Sequence, residues 1–121
     1  GAPYTTAWLD DCLHGRKLTT LENAIHHLTD VPARLFGLRD RGRIEEGLHA
    51  DIVLFDPDEV GATDVELVYD LPGESKRLWS RATGIRRVLV NGVTTLVDGE
   101  ATDALPGFVL RSGRDTDTVL V

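Results

Sequence analysis

A chain of 121 residues, with an ordinary globular mixture of apolar and charged side chains, is about one domain around one modest core. Its 20 acidic against 13 basic side chains give a net charge of −7, which repels a phosphate backbone and argues against a nucleic-acid partner. No apolar run reaches the roughly 20 residues that cross a bilayer, the opening residues lack the order of a signal peptide, and the single Cys12 cannot close an intrachain disulfide, so a cytoplasmic protein is expected.

In chain order, helices come first. Ala7, Trp8, Leu9, Cys12 and Leu13 recur at spacings of three and four, which predicts a short helix from Thr6 to His14 ended near Gly15. Thr19-Thr20-Leu21-Glu22 reads as a capping box, with the Thr19 hydroxyl taking an orphan N–H while Glu22 reaches back. Leu21, Ala24, Ile25 and Leu28 then form one apolar face. A further turn capped by Thr29 or Asp30, with Pro32 near its first position, should close at Gly37. Arg39 to Gly47 is charged and Gly-punctuated, a crossing with at most a short strand at Arg43-Ile44.

The remainder is β-rich, giving an α+β chain. Ile52-Val53-Leu54-Phe55 is an unbroken apolar run stopped by Pro57, and it reads as a strand buried on both faces. Asp58 to Thr63 reads as a loop, Val65 to Tyr69 as a weaker strand, Leu71 to Ser75 as a turn, and Trp79 as the anchor of a returning loop that carries Lys76 and Arg77. Val88-Leu89-Val90 and Val93 to Val97 flank Asn91-Gly92, the dipeptide best suited to positive φ at both centres of a type I′ turn. Leu105 to Leu110 could add an extended segment, and Ser112 to Thr118 is polar and expected to fray.

The residues offer no catalytic constellation of their own. His26 and His27 are neighbours on a helix and point about 100° apart, whereas two ligands on one helix face need a spacing of three or four. No His-x-His, His-Glu-x-x-His, Cys-x-x-Cys or Gly-x-Ser-x-Gly occurs. Cys12 sits on an apolar stripe beside Asp10 and Asp11 and reads as a buried structural thiol. Asp10-Asp11 and Glu45-Glu46 are adjacent surface carboxylates, not a pair converging on one pocket. Asp51 and Asp56 bracket a strand and are suited to capping or salt-bridging its ends. No catalytic residue and no metal ligand is assigned within this chain.

The order of these motifs nevertheless has a match. The helix with Thr-x-x-Glu, Pro32-Ala33-Arg34-Leu35-Phe36-Gly37-Leu38, Arg41-Gly42-Arg43-Ile44, Glu46-Gly47, Ala50 to Asp56, Val90-Asn91-Gly92 and Leu105-Pro106-Gly107 together resemble the C-terminal end of the amidohydrolase superfamily. The branch most similar is that of the N-acyl-D-amino-acid deacylases (D-aminoacylases). The resemblance covers roughly residues 20 to 111.

It implies a (β/α)₈ barrel holding one or two divalent metals, zinc among them, beside a small composite β-sandwich. Residues 1–39 would be the last barrel helices, and residues 40–121 the C-terminal share of the sandwich with its frayed tail. The family's His-x-His pair, its Lys or Cys, its two further His and its final Asp match nothing here, and that Asp would fall just before Gly1. The parent would hydrolyse a C–N amide bond, most simply in N-acyl-D-amino acids, through metal-activated water.

Gly1 to Thr6 would follow the last barrel strand, where Tyr4 could line the substrate pocket of the intact parent. An opening Gly1 in place of Met fits a cleaved or excised chain. The implied partners are the rest of the parent and a second copy paired through exposed strand edges. A self-standing binding or assembly module that kept the sandwich without the barrel is the alternative.

Overall fold

The computed structural model of the chain describes residues 3–119, so Gly1 and Ala2 of the predicted opening segment lie outside the described residues. The described residues form an α+β arrangement of three α-helices followed by short antiparallel strands. None of the helices is long and apolar enough to cross a membrane.

Helix α1 spans Tyr4–Leu13 and begins two residues before the predicted Thr6. Pro3 starts it: the Pro3 carbonyl accepts the Ala7 N–H at 2.9 Å and the Thr6 hydroxyl at 3.3 Å. The helix closes through His14 and Gly15, whose N–H groups both reach the Asp10 carbonyl at 2.8 and 3.0 Å. The left-handed residue that follows is Lys17 (φ 50), not Gly15.

Helix α2 spans Leu21–Leu28, and its cap is Thr20 rather than Thr19. The backbone is extended at Thr20 (φ −74, ψ 161), and its hydroxyl accepts the Asn23 N–H at 3.4 Å. That one-residue shift puts Asn23 where the box needs Glu22. Glu22 remains in the first turn, where a carboxylate suits the positive end of the helix dipole.

Helix α3 spans Asp30–Leu35, with Pro32 as its third residue, not its first. Its end matches the expectation at Gly37 (φ 65). The Leu38 N–H reaches the Ala33 carbonyl at 2.8 Å and the Gly37 N–H reaches that of Arg34 at 3.1 Å, the paired bonds of a Schellman cap. No strand forms at Arg43-Ile44.

A four-stranded antiparallel sheet carries strands β1 (Ile52–Phe55), β6 (Ile85–Val90), β7 (Val93–Val97) and β8 (Glu100–Ala101) in the order β1-β6-β7-β8. The Asn91-Gly92 turn forms as expected, with φ of 49° and 77°, and joins Val90 to Val93. Strand β1 departs from its sequence reading. It is an edge strand, and Val53 and Leu54 remain about half exposed. An apolar run states that burial is available, but not how many layers cover it.

Two smaller pairings were not legible. Within the predicted loop, β2 (Gly61–Ala62) pairs with β5 (Ala82–Thr83). The weak strand at Val65 becomes β3 (Glu66–Leu71), which pairs with β4 (Ser75–Trp79) around the tight turn Pro72–Glu74. Lys76, Arg77 and Trp79 therefore sit on a strand, not in a returning loop. Residues 105–110 form no strand, and the polar tail is tied down, not frayed: Thr116 bridges Leu38, and the Asp117 N–H donates to the Gly37 carbonyl at 2.8 Å.

The main buried cluster is Leu9 and Cys12 of α1, Ala24 of α2 and Val60 between β1 and β2, with Phe55 and Ile85 packed against it. It joins the helical part to the sheet through a few well-covered side chains.

Candidate functional site

A concavity of about 780 Å³ lies over one face of the four-stranded sheet. Strand register explains its apolar floor. Val53 pairs with Val88, Val88 with Leu96 and Leu96 with Ala101, so one cross-strand row runs over all four strands and opens into the concavity. Thr5 of α1 and Trp79 of β4 form its walls, while Arg81, Asp98 and Glu100 supply charge.

Tyr4, the predicted pocket residue, is the first residue of α1 rather than part of a loop and is 73% exposed. It does not line the concavity, although its neighbour Thr5 does. Cys12 is buried as expected, at 3% exposure. His26 and His27 are exposed, with ring centroids 6.0 Å apart and planes tilted by 53°. The nearest acid to the His26 ring is Asp30 at 3.6 Å, a carboxylate already shared with Arg34 at 2.8 Å and Arg43 at 3.5 Å. Among the described residues no three His, Cys, Asp or Glu side chains converge as a metal set, and these histidines do not fit that role.

Asp51 and Asp56 do fasten the ends of β1. Asp51 accepts the Asn91 main-chain N–H at 2.8 Å and an Arg41 guanidinium N–H at 2.9 Å. Asp56 accepts the Asp58 N–H at 3.0 Å and Arg86 at 3.2 Å. Sequence spacing pointed to these acids but not to their partners, because Arg86 and Asn91 lie 30 and 40 residues away.

The electrostatics carry the same message. The carboxyls of Asp11, Asp30, Asp70 and Asp115 are each held below the usual range, chiefly by a hydrogen bond from an arginine, and Asp56 chiefly by the Asp58 main-chain N–H. These acids are poised as permanent anions in ion pairs. A general acid needs the opposite shift. The concavity itself joins an apolar floor to the surface charges of Arg81, Asp98 and Glu100. Val53, Val88, Leu96, Thr5 and Trp79 were missed as a group. The apolar character of Val53, Val88 and Leu96 was visible, but their common face follows only from the register.

The family model described as "Amidohydrolase family" matches residues 2–100. The chain is 40% identical over 99 residues to the N-acyl-D-aspartate deacylase of Alcaligenes xylosoxydans xylosoxydans, covering 81% of this chain and 18% of that protein. It is 37% identical over 93 residues to the D-aminoacylase of the same organism, covering 77% and 17%. A dihydroorotase of Lactobacillus acidophilus is 40% identical over 84 residues, covering 69% and 18%. The chain thus spans less than a fifth of the length of each of these relatives. No solved structure matches it.

Proposed function

We propose, from the premise that this chain belongs to the amidohydrolase family, that it is the closing segment of a larger cytoplasmic hydrolase acting on N-acyl-D-amino acids. Two of the relatives named above carry deacylase and aminoacylase names and share 37–40% identity with it. In this reading α1 to α3, within residues 1–39, are the last helices of a barrel. Residues 40–121 are one share of a composite sandwich. The divalent metal and the groups that activate water belong to the part of the parent outside this chain, and Tyr4 stands at the rim of its substrate pocket.

The observation that carries the proposal is the pairing of an ordered match over residues 2–100 with coverage of under a fifth of the relatives. The sheet supports it physically. A four-stranded sheet whose row Val53, Val88, Leu96 and Ala101 faces open space is half of a layered structure. The missing layer is the remainder of the parent. Alone, the chain hides the uncovered β1 edge and apolar face against a second copy.

The test is an assay of the purified chain with zinc against N-acetyl-D-aspartate, with bound metal measured in the same sample. No turnover and no stoichiometric metal are expected. Turnover together with one bound metal per chain would put the reaction inside these 121 residues. Light scattering checks the self-association, and a stable monomer at high concentration would remove that part of the reading.

A further inference from the structure

His14 meets hydrogen-bond acceptors at both ring nitrogens. It is the residue that closes α1. Its Nδ1 lies 2.8 Å from Asp10 Oδ1, one helical turn back, and its Nε2 lies 2.8 Å from the Pro57 carbonyl oxygen, just past β1 and 43 residues away. A carboxylate and a peptide carbonyl can only accept. Neutral imidazole carries one N–H and leaves one of these contacts as lone pair against lone pair, whereas imidazolium carries two and satisfies both.

The neighbouring charges act in the same direction. Asp10 on α1 and Asp58 on the loop after β1 are the anions that face the ring. Arg16, two residues on, is turned to Asp11, while Asp56 is engaged by the Asp58 N–H and by Arg86. The Asp10 hydrogen bond, followed by an opposing effect of burial and then the Pro57 carbonyl, holds the His14 ring above its ordinary value.

We propose that His14 is a protonation-gated clasp whose imidazolium pins the end of α1 to the Asp56–Val60 turn, and whose deprotonation releases that pin. The seam it closes carries the core. Val60, which is 1% exposed, packs with Leu9 and Cys12, and its N–H holds the turn by a 2.9 Å bond to the Asp56 carbonyl. Because the folded-state value is raised, the stabilisation is complete below about pH 6.5, the ordinary histidine value, and is lost as pH rises through the folded-state value. The device therefore loosens the junction between helices and sheet on the alkaline side.

The experiment is a pH titration of the chain by NMR, following the His14 ring and the hydrogen exchange of the Glu59 and Val60 amides, corrected for intrinsic rates. The ring is expected to titrate above pH 6.5, and exchange at both amides to accelerate severalfold across the same midpoint. In His14→Gln, which does not titrate and whose two donors share one nitrogen in place of the two separated ring nitrogens, exchange should be fast and flat with pH. Asp10→Asn should lower the ring midpoint with the fold intact. A His14 midpoint at or below 6.5, or exchange at Glu59 and Val60 that ignores the titration, overturns the proposal. The wild-type titration decides this even if a variant fails to fold.

Discussion

Asp51 caps the turn of a hairpin 40 residues away: its Oδ1 accepts the main-chain N–H of Asn91 at 2.8 Å. The adjacent Ala50 carbonyl accepts the Gly92 N–H at 2.9 Å, so the residues that lead into β1 also hold both residues of the β6–β7 turn. The other Asp51 oxygen takes Arg41, a largely covered side chain whose Nη2 finds no partner among the described residues. Removing the carboxylate therefore leaves the Asn91 N–H without its acceptor and leaves Arg41 paired with Asp40 alone, at 3.1 Å. Asp51→Ala is expected to destabilise the chain by about 2 kcal/mol in urea unfolding, and Asp51→Asn, which keeps an acceptor for Asn91, by roughly half as much.

The tail is held by backbone geometry more than by charge. Gly37 has φ 65, and a Cβ added there would fall on the Asp117 main-chain carbonyl. Gly37→Ala is expected to cost about 1–2 kcal/mol and to expose residues 112–118 to limited proteolysis. Arg39→Ala removes an exposed ion pair of 2.7 Å with Asp117 and bonds to the Thr116 and Arg114 carbonyls. Its effect should stay near 0.5 kcal/mol, as for other solvated pairs.

The core is small, so single truncations within it should dominate the stability of the chain. Leu9 is 6% exposed and belongs to a cluster of four buried residues among the described residues, whereas Leu105 is 94% exposed. Leu9→Ala is expected to lose about 2–4 kcal/mol, and Leu105→Ala to remain within about 0.5 kcal/mol of the parent chain. The same burial predicts slow reaction of Cys12 with a thiol reagent until the chain unfolds.

Acid should act through Asp30. The Arg34 hydrogen bond, against an opposing burial effect and with further help from Arg43 and His26, holds this carboxyl below the usual range. A depressed folded-state value means stabilisation that is complete above the ordinary Asp value of about 3.9 and lost as pH falls through the lower folded-state value. Asp30→Asn should therefore lower Tm at pH 6 and have little effect near pH 2. Equal loss at both pH values would show that the hydrogen-bond geometry matters and the charge does not.

Local signals were read well where one short segment contains its own cause. Asn91-Gly92 supplies the two positive φ values that its turn requires, and Gly37 supplies the one that closes α3. The capping box slipped by one residue because Thr19 and Thr20 are chemically alike, and only the extended backbone at Thr20 decides between them. The hairpin Glu66–Trp79 was half visible, since β3 is rich in strand formers while β4 begins with Ser75-Lys76-Arg77. Arg77 earns its place there through a bidentate pair with Asp70 and a stack 4.2 Å from the Trp79 ring centroid.

Sequence by itself determined the α+β order of elements, the Asn91-Gly92 turn, the helix end at Gly37 and, through the order of motifs, the amidohydrolase family. These rest on backbone preferences and short patterns that a chain carries wherever it folds. Tertiary structure alone decided that β1 is an edge, that Val53, Val88, Leu96 and Ala101 share an open face, and that the tail returns to Leu38. It also set His14 against Pro57. Each of those depends on the pairing of segments distant in the chain, and hydrophobicity fixes what must be buried without fixing the partner that buries it.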